Sequence, residues 1–183
     1  MRFALVTLTA LVLVFGLSVS APAGEEGGKK AKVQLPEATA KAVKDAFPEA
    51  KVLKVGTETE DGVALYEVEL RQGKAEFEVA VSADGVIAEV AVEIKPAELP
   101  EAVTKTVGQE APGAKIKEAE KVEVRAEVRK DDKGVPGLVK LEKPRTVYEV
   151  EVVKDKREGE ITVDPDGKVV KKLSWAAEGG DKD

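Results

Sequence analysis

Leu35-Pro36-Glu37-Ala38 returns later in the chain as Leu99-Pro100-Glu101-Ala102, and this self-similarity restricts the fold more than any other feature. At the same offset Pro48 matches Pro112, and Ala50-Lys51-Val52 matches Ala114-Lys115-Ile116. Tyr66-Glu67-Val68-Glu69-Leu70 then matches Tyr148-Glu149-Val150-Glu151-Val152, and Ala83-Asp84-Gly85 matches Pro165-Asp166-Gly167, both at a second, larger offset. Matches kept in order along a chain mark a duplicated unit. The change of offset requires an insertion in the second copy, assigned to Arg129–Arg145. The expected plan is one repeat over 35–98 and a second over 99–175.

Each copy opens on a helical pattern. Leu35, Ala38, Ala42, Val43 and Ala46 share one side, as do Leu99, Ala102, Val103 and Val107. A proline at the first helical position is tolerated because its missing N–H has no partner there, and Pro48 and Pro112 stop each helix. The period then switches to two: Tyr66, Val68 and Leu70 alternate with glutamates, and so do Phe77, Val79 and Val81. A turn at Gln72-Gly73 predicts Leu70 opposite Ala75, Val68 opposite Phe77 and Tyr66 opposite Val79. A turn at Asp84-Gly85 predicts Val81 opposite Ala88 and Val79 opposite Val90. The fold class is therefore α+β: a tandem repeat of one short helix plus a four-stranded antiparallel sheet, about eight strands in total, with the helices on one face. Neither copy is large enough to stand comfortably alone without disulfides, so the two should share a core. Strict pairing at Asp166-Gly167 would turn Trp175 outward; a bulge near Gly167 instead sends Val169, Leu173 and Trp175 inward.

The order L-P-x-A, helix, F-P-x-A-K-V, Y-E-V-E-L, E-F-E-V and A-D-G-V-I, at Leu35, Phe47, Tyr66, Glu76 and Ala83, resembles the PepSY-like family, also described as beta-lactamase-inhibitor-like. The resemblance covers both copies. It implies a bacterial secreted or periplasmic domain of helix plus four-stranded sheet, often in tandem, with protein-binding and peptidase-inhibitory relatives. The second copy departs from the pattern, with Ala111 in the place of Phe47 and Gly159 in the place of Phe77.

Met1-Arg2, the apolar run Phe3–Val19 and the small residues Ala21-Pro22-Ala23 read as a signal peptide over 1–23, with a retained anchor as the alternative. A polar lead-in (24–34) and tail (176–183) are expected to be flexible. A periplasmic or secreted location follows, with no membrane association after cleavage, and a monomer is expected. The 183 residues carry a formal charge of −6 with Lys and Arg spread throughout, which argues against a nucleic-acid partner.

The chain has no His and no Cys, so neither a serine nor a thiol triad can be assembled, and zinc loses its usual ligands. No phosphate-cradling glycine motif occurs. The reading is not an enzyme, with no cofactor and no metal. Carboxylates are the one abundant chemical resource. The predicted turns set Glu69 against Glu76 and Glu67 against Glu78, and a turn at Lys154-Asp155 sets Glu151 against Glu158 and Glu149 against Glu160. Like charges directly opposite destabilise a sheet by up to about 1 kcal/mol a pair, so their recurrence asks for a reason. A solvated outer face relieved by neighbouring cations is one; docking of a basic protein or peptide is another; weak Ca²⁺ binding is a third. The insertion adds Val135 and Leu138, apolar residues with no place in the core pattern. They either contact a partner or fold back on the sheet. The function expected is an exported binding module, inhibitor-like or sensor-like, using the acidic outer face and the 129–145 loop. The alternative is a structural or weakly Ca²⁺-binding envelope protein.

Overall fold

The computed structural model describes residues 33–176. The signal-peptide reading, nearly all of the lead-in and all but Ala176 of the tail lie outside the described residues. Two ten-residue helices, α1 (Glu37–Ala46) and α2 (Glu101–Glu110), accompany eight strands: β1 (Lys51–Glu60), β2 (Val63–Gln72), β3 (Ala75–Ser82), β4 (Ile87–Ile94), β5 (Lys115–Lys130), β6 (Pro136–Lys154), β7 (Arg157–Val163) and β8 (Val169–Trp175). The strands form one antiparallel sheet in sequential order. The molecule is thus mostly β with two helices. A single 3-10 turn, Pro96–Glu98, links β4 to α2.

Pro36 and Pro100 cap the helices one position earlier than expected, in extended conformation. Phe47 and Ala111 close them, their N–H groups donating to Val43 O and Val107 O just before the terminating prolines. Val43 on α1 packs with Val68, Leu70, Val79 and Val81. Val103 and Val107 on α2 pack with Ala119, Val150, Val152, Ile161 and Val163. Burying each such aliphatic side chain stabilises the fold by roughly 1.5–3 kcal/mol.

Each helix sits on a strand turn. A Cβ on Gly85 would lie 2.7 Å from Ala38 O, and one on Gly167 would lie 2.9 Å from Ala102 O. Thr39 Oγ1 donates to Ser82 O at 2.8 Å, and Thr106 Oγ1 donates to Gly167 O at 2.6 Å.

Two hairpin registers differ from expectation by two residues. Leu70 pairs with Phe77, Val68 with Val79 and Tyr66 with Val81, because the β2–β3 loop is Gly73-Lys74. The β6–β7 loop is Asp155-Lys156 and not Lys154-Asp155. A two-residue loop of this type needs positive φ at both centres, and Asp155 and Lys156 have φ of 51° and 65°. A slip of two leaves every side chain on its predicted face, because the strand period is also two. At β3–β4 the expected Val79–Val90 pair is present, but a bulge sets Val81 opposite Ile87 in place of Ala88. The expected phase change in β8 is present, with register shifts on both sides of the Thr162–Lys171 pair, and Val169, Leu173 and Trp175 pack against the α2 core.

The insertion is not a loop. β5 and β6 run through it as a hairpin arm, leaving only Asp131–Val135 as the turn. Asp131 Oδ1 accepts from the N–H groups of Lys133 and Val135, both at 2.8 Å. Between the Val124–Arg145 and Ala126–Lys140 pairs, four residues of β6, Leu141–Pro144, stand against Arg125 alone. Pro144, which cannot donate to a ladder, falls in that interruption.

Candidate binding face

The strands' second side carries glutamates around two buried apolar patches, one of Leu65, Ala80 and Ala88 and one of Val122, Val124 and Val147. Glu67 and Glu69 alternate with Val68 and Leu70 and so point away from α1; Glu149 and Glu151 alternate with Val150 and Val152 and point away from α2. The two sets belong to one surface, because Glu93 on β4 pairs with Glu120 on β5, which in turn pairs with Glu149 on β6. Like-charge neighbours also occur at Glu69–Glu78, Glu118–Glu151 and Glu151–Glu160.

The sheet curls around this face. Lys171 on edge strand β8 donates to Glu60 on edge strand β1 at 2.6 Å. The hairpin arm leans across from the other half: Leu138 packs on Leu65, Ala80 and Ala88, with Val63 alongside. Pro136 lies against Gly62, where a Cβ would come within 3.2 Å of its Cγ. The glutamates are consequently not free in solvent. Glu67, Glu69, Glu76, Glu149, Glu151 and Glu160 are half-buried, whereas Glu78 and Glu158 are exposed. Gly56 leaves the space that the Glu67 carboxylate fills, since a Cβ there would stand 2.9 Å from Oε2.

The expected carboxylate pairings are corrected by the two-residue slip. Glu69 faces Glu78 and Glu67 faces Ala80, while Glu76 faces Arg71, which donates to it at 2.6 Å. Glu151 faces Glu160 and Glu149 faces Thr162. Glu158 shares the Lys117 ammonium with Glu151, at 2.7 and 2.8 Å. Of the two apolar candidates on the insertion, Leu138 is engaged within the molecule, whereas Val135 at the arm's turn is 57% exposed.

Burial, followed by the charge of Glu67, pushes Glu58 up to about 8, and burial with the charge of Glu89 pushes Glu149 to about 8. Glu89 and Glu120 rise to about 7, chiefly through burial; Glu78, exposed as a residue but with its carboxyl set among Glu67 and Glu120, rises to about 7 through local loss of solvent and their charge. Glu160 is raised by burial against the opposing pull of Lys171. Lys171 itself is pushed up, the hydrogen bond and charge of Glu60 outweighing burial. These groups come from β1, β3, β4, β5, β6, β7 and β8, so the curl concentrates charge that a flat sheet would spread out. Sequence reasoning missed Glu58, Glu60, Glu89 and Glu120. Alternating acids along β1 and β5 carried a signal for three of them, but Lys171 and Thr162 had none.

Among the described residues no group of three or more acidic side chains is arranged to hold a metal ion. Nor, among them, is any helix long and apolar enough to cross a membrane. On the other side of the sheet a shallow hollow is lined by Gly85, Ile87, Arg125, Lys140, Leu141 and Pro144.

None of the curated proteins matches the chain. A BLIP-like protein from Bacteroides fragilis superposes with a TM-score of 0.52 at 16% identity, over 84% of this chain and 94% of its own. A DUF2874 family protein from Bacteroides uniformis gives 0.55 at 15% identity, over 78% and 90%. A protein of Bacteroides eggerthii, named for an inferred periplasmic location, gives 0.54 at 13%, also over 78% and 90%. At such identities these likenesses establish the fold alone. Two family models match: the peptidase propeptide and YPEB domain over residues 35–84, and the beta-lactamase-inhibitor-like, PepSY-like model over 64–135 and 123–171. With more than half of its length so matched, the chain belongs to the PepSY-like, beta-lactamase-inhibitor-like family.

Proposed function

We propose that the protein is an exported, non-enzymatic binding module of the bacterial envelope, built of two tandem copies (35–98 and 99–175) with both helices on one face and the docking surface on the other. A protein or peptide partner engages the glutamate face together with the exposed turn of the hairpin arm. The observation that carries this reading is the set of half-buried carboxylates kept side by side across seven strands. Packing them there raises their proton affinity and costs stability, and an apolar or mixed-charge face would avoid that cost. Docking of a basic partner would offset that cost, since complementary charge steers association. The lack of His and Cys supports a role without covalent chemistry. The paired closures of Gly85 on Ala38 and Gly167 on Ala102 support the tandem arrangement. The envelope assignment draws on the leader pattern at 1–23 and on the location inferred for the Bacteroides eggerthii relative.

Site-specific photocrosslinking in the envelope tests the docking face. A benzophenone side chain at Glu69 or Val135 should trap a partner in a salt-sensitive manner, and one at Lys44 on α1 should not. Crosslinks arising equally from α1, or from none of these positions, would refute the assignment.

A further inference from the structure

Resting on that reading, we infer that the recess between Glu60, Glu89, Glu149 and Thr162, held by the Lys171 ammonium, is a primary-ammonium site that takes a partner's lysine side chain in exchange for Lys171. Three observations converge there. Lys171 bonds Glu60 alone at 2.6 Å, although Glu89 and Glu149 also act on its charge. An ammonium has three N–H donors, so one such contact leaves most of its capacity unused. Thr162 lies directly opposite Glu149 on one side and Lys171 on the other, hence on this same face. It is 1% exposed, and its Oγ1 is a buried side-chain polar atom with no hydrogen-bond partner. An orphaned buried hydroxyl beside carboxylates is an acceptor awaiting a donor, because leaving it unmet is costly.

Lys171 is suited to leave. It stands on an edge strand next to a register shift, and its side chain is half exposed, so it can swing into solvent while the β7–β8 ladder stays intact. An incoming ammonium entering from the open side would donate to Thr162 Oγ1 and to Glu149, whose carboxyl proton passes to solvent as the cation arrives. A divalent ion is the poorer fit, since no three acidic groups are arranged to hold a metal among the described residues.

Titration calorimetry of the purified protein with tetralysine, tetraarginine and fully acetylated tetralysine tests the assignment. Tetralysine should bind one to one and more tightly than tetraarginine, with no binding of the acetylated form. Thr162→Val and Glu149→Gln should each weaken tetralysine at least five-fold. Lys171→Met should tighten it by a similar factor, while urea midpoints verify that each variant folds. Responses within two-fold for Thr162→Val and Lys171→Met, or equal binding of tetraarginine, would overturn the ammonium site. A partner still crosslinked from Glu69 in the Thr162→Val variant would then leave the docking face standing. Variant-sensitive tetralysine binding without any crosslink would do the reverse.

Discussion

Phe47 and Phe77 pack beneath α1 with ring centroids 5.0 Å apart and planes tilted by 57°, and at the sequence-matched places further along the chain stand Ala111 and Gly159. Trp175 fills the space they vacate: a Cβ on Gly159 would lie 2.7 Å from its Cε3. Gly159→Val should therefore destabilise the protein by about 2–3 kcal/mol through overpacking against the indole, measured by urea denaturation. A loss under about 0.5 kcal/mol would mean that Trp175 is not seated there. Thr162→Val should act in the opposite direction, raising stability by about 1 kcal/mol, because it removes a buried hydroxyl that has no partner. Part of this was legible in the sequence. Trp175 was expected inward because an exposed indole forfeits so much burial, and Gly159 was visible as a departure from the first copy. That one compensates for the other was not legible, because the contact bridges β7 and β8, whose register shifts at two places where the sequence signals only the one near Gly167. The orphan state of Thr162 was hidden for the same reason.

Elements are tied to one another through backbone contacts at turns. Gly85 and Gly167 have φ of 84° and 88° and lie against helix carbonyls, whereas Gly73 has φ of 63° with nothing within 4 Å of its would-be Cβ. Alanine at Gly73 should cost about 1 kcal/mol, the strain of the left-handed conformation alone. At Gly85 and Gly167 the loss should at least double, because the helix must also move away; equal losses at all three would show that the helices are not seated on these turns. Strand identity and facing were readable from period-two alternation, yet turn positions were not. Gln72-Gly73 and Gly73-Lys74 both place glycine in the loop, and a slip of two residues disturbs no apolar side chain. Gly and Pro in the insertion suggest a loop, whereas it takes the alternative form, a long hairpin tip with Leu138 folded back on the sheet. Its strands are held by ladder hydrogen bonds and by Leu138 reaching another part of the chain, a long-range contact with no local signature.

At the scale of the whole molecule, the curl of the sheet turns a row of acids into a recess. Unfolded, the carboxyls of Glu58 and Glu149 titrate near 4.5; folded, they hold their protons to about pH 8. The folded state therefore binds more protons between these limits. The stability this contributes is complete below about 4.5 and is lost as pH rises through 8. Thermal melts should show the midpoint falling from pH 5 to pH 9, and a flat or rising profile would speak against burial of these acids. The acids themselves were evident in the sequence, but their half-burial was not, because it arises from β8 meeting β1 and from the arm crossing the face. The most direct probe is a carboxyl carbon NMR titration of the folded protein that resolves Glu58 and Glu149. A recess of the kind described gives both midpoints near 8. Midpoints of both near 4.5 would mean an ordinary solvated surface, and the basis for the docking face would be gone.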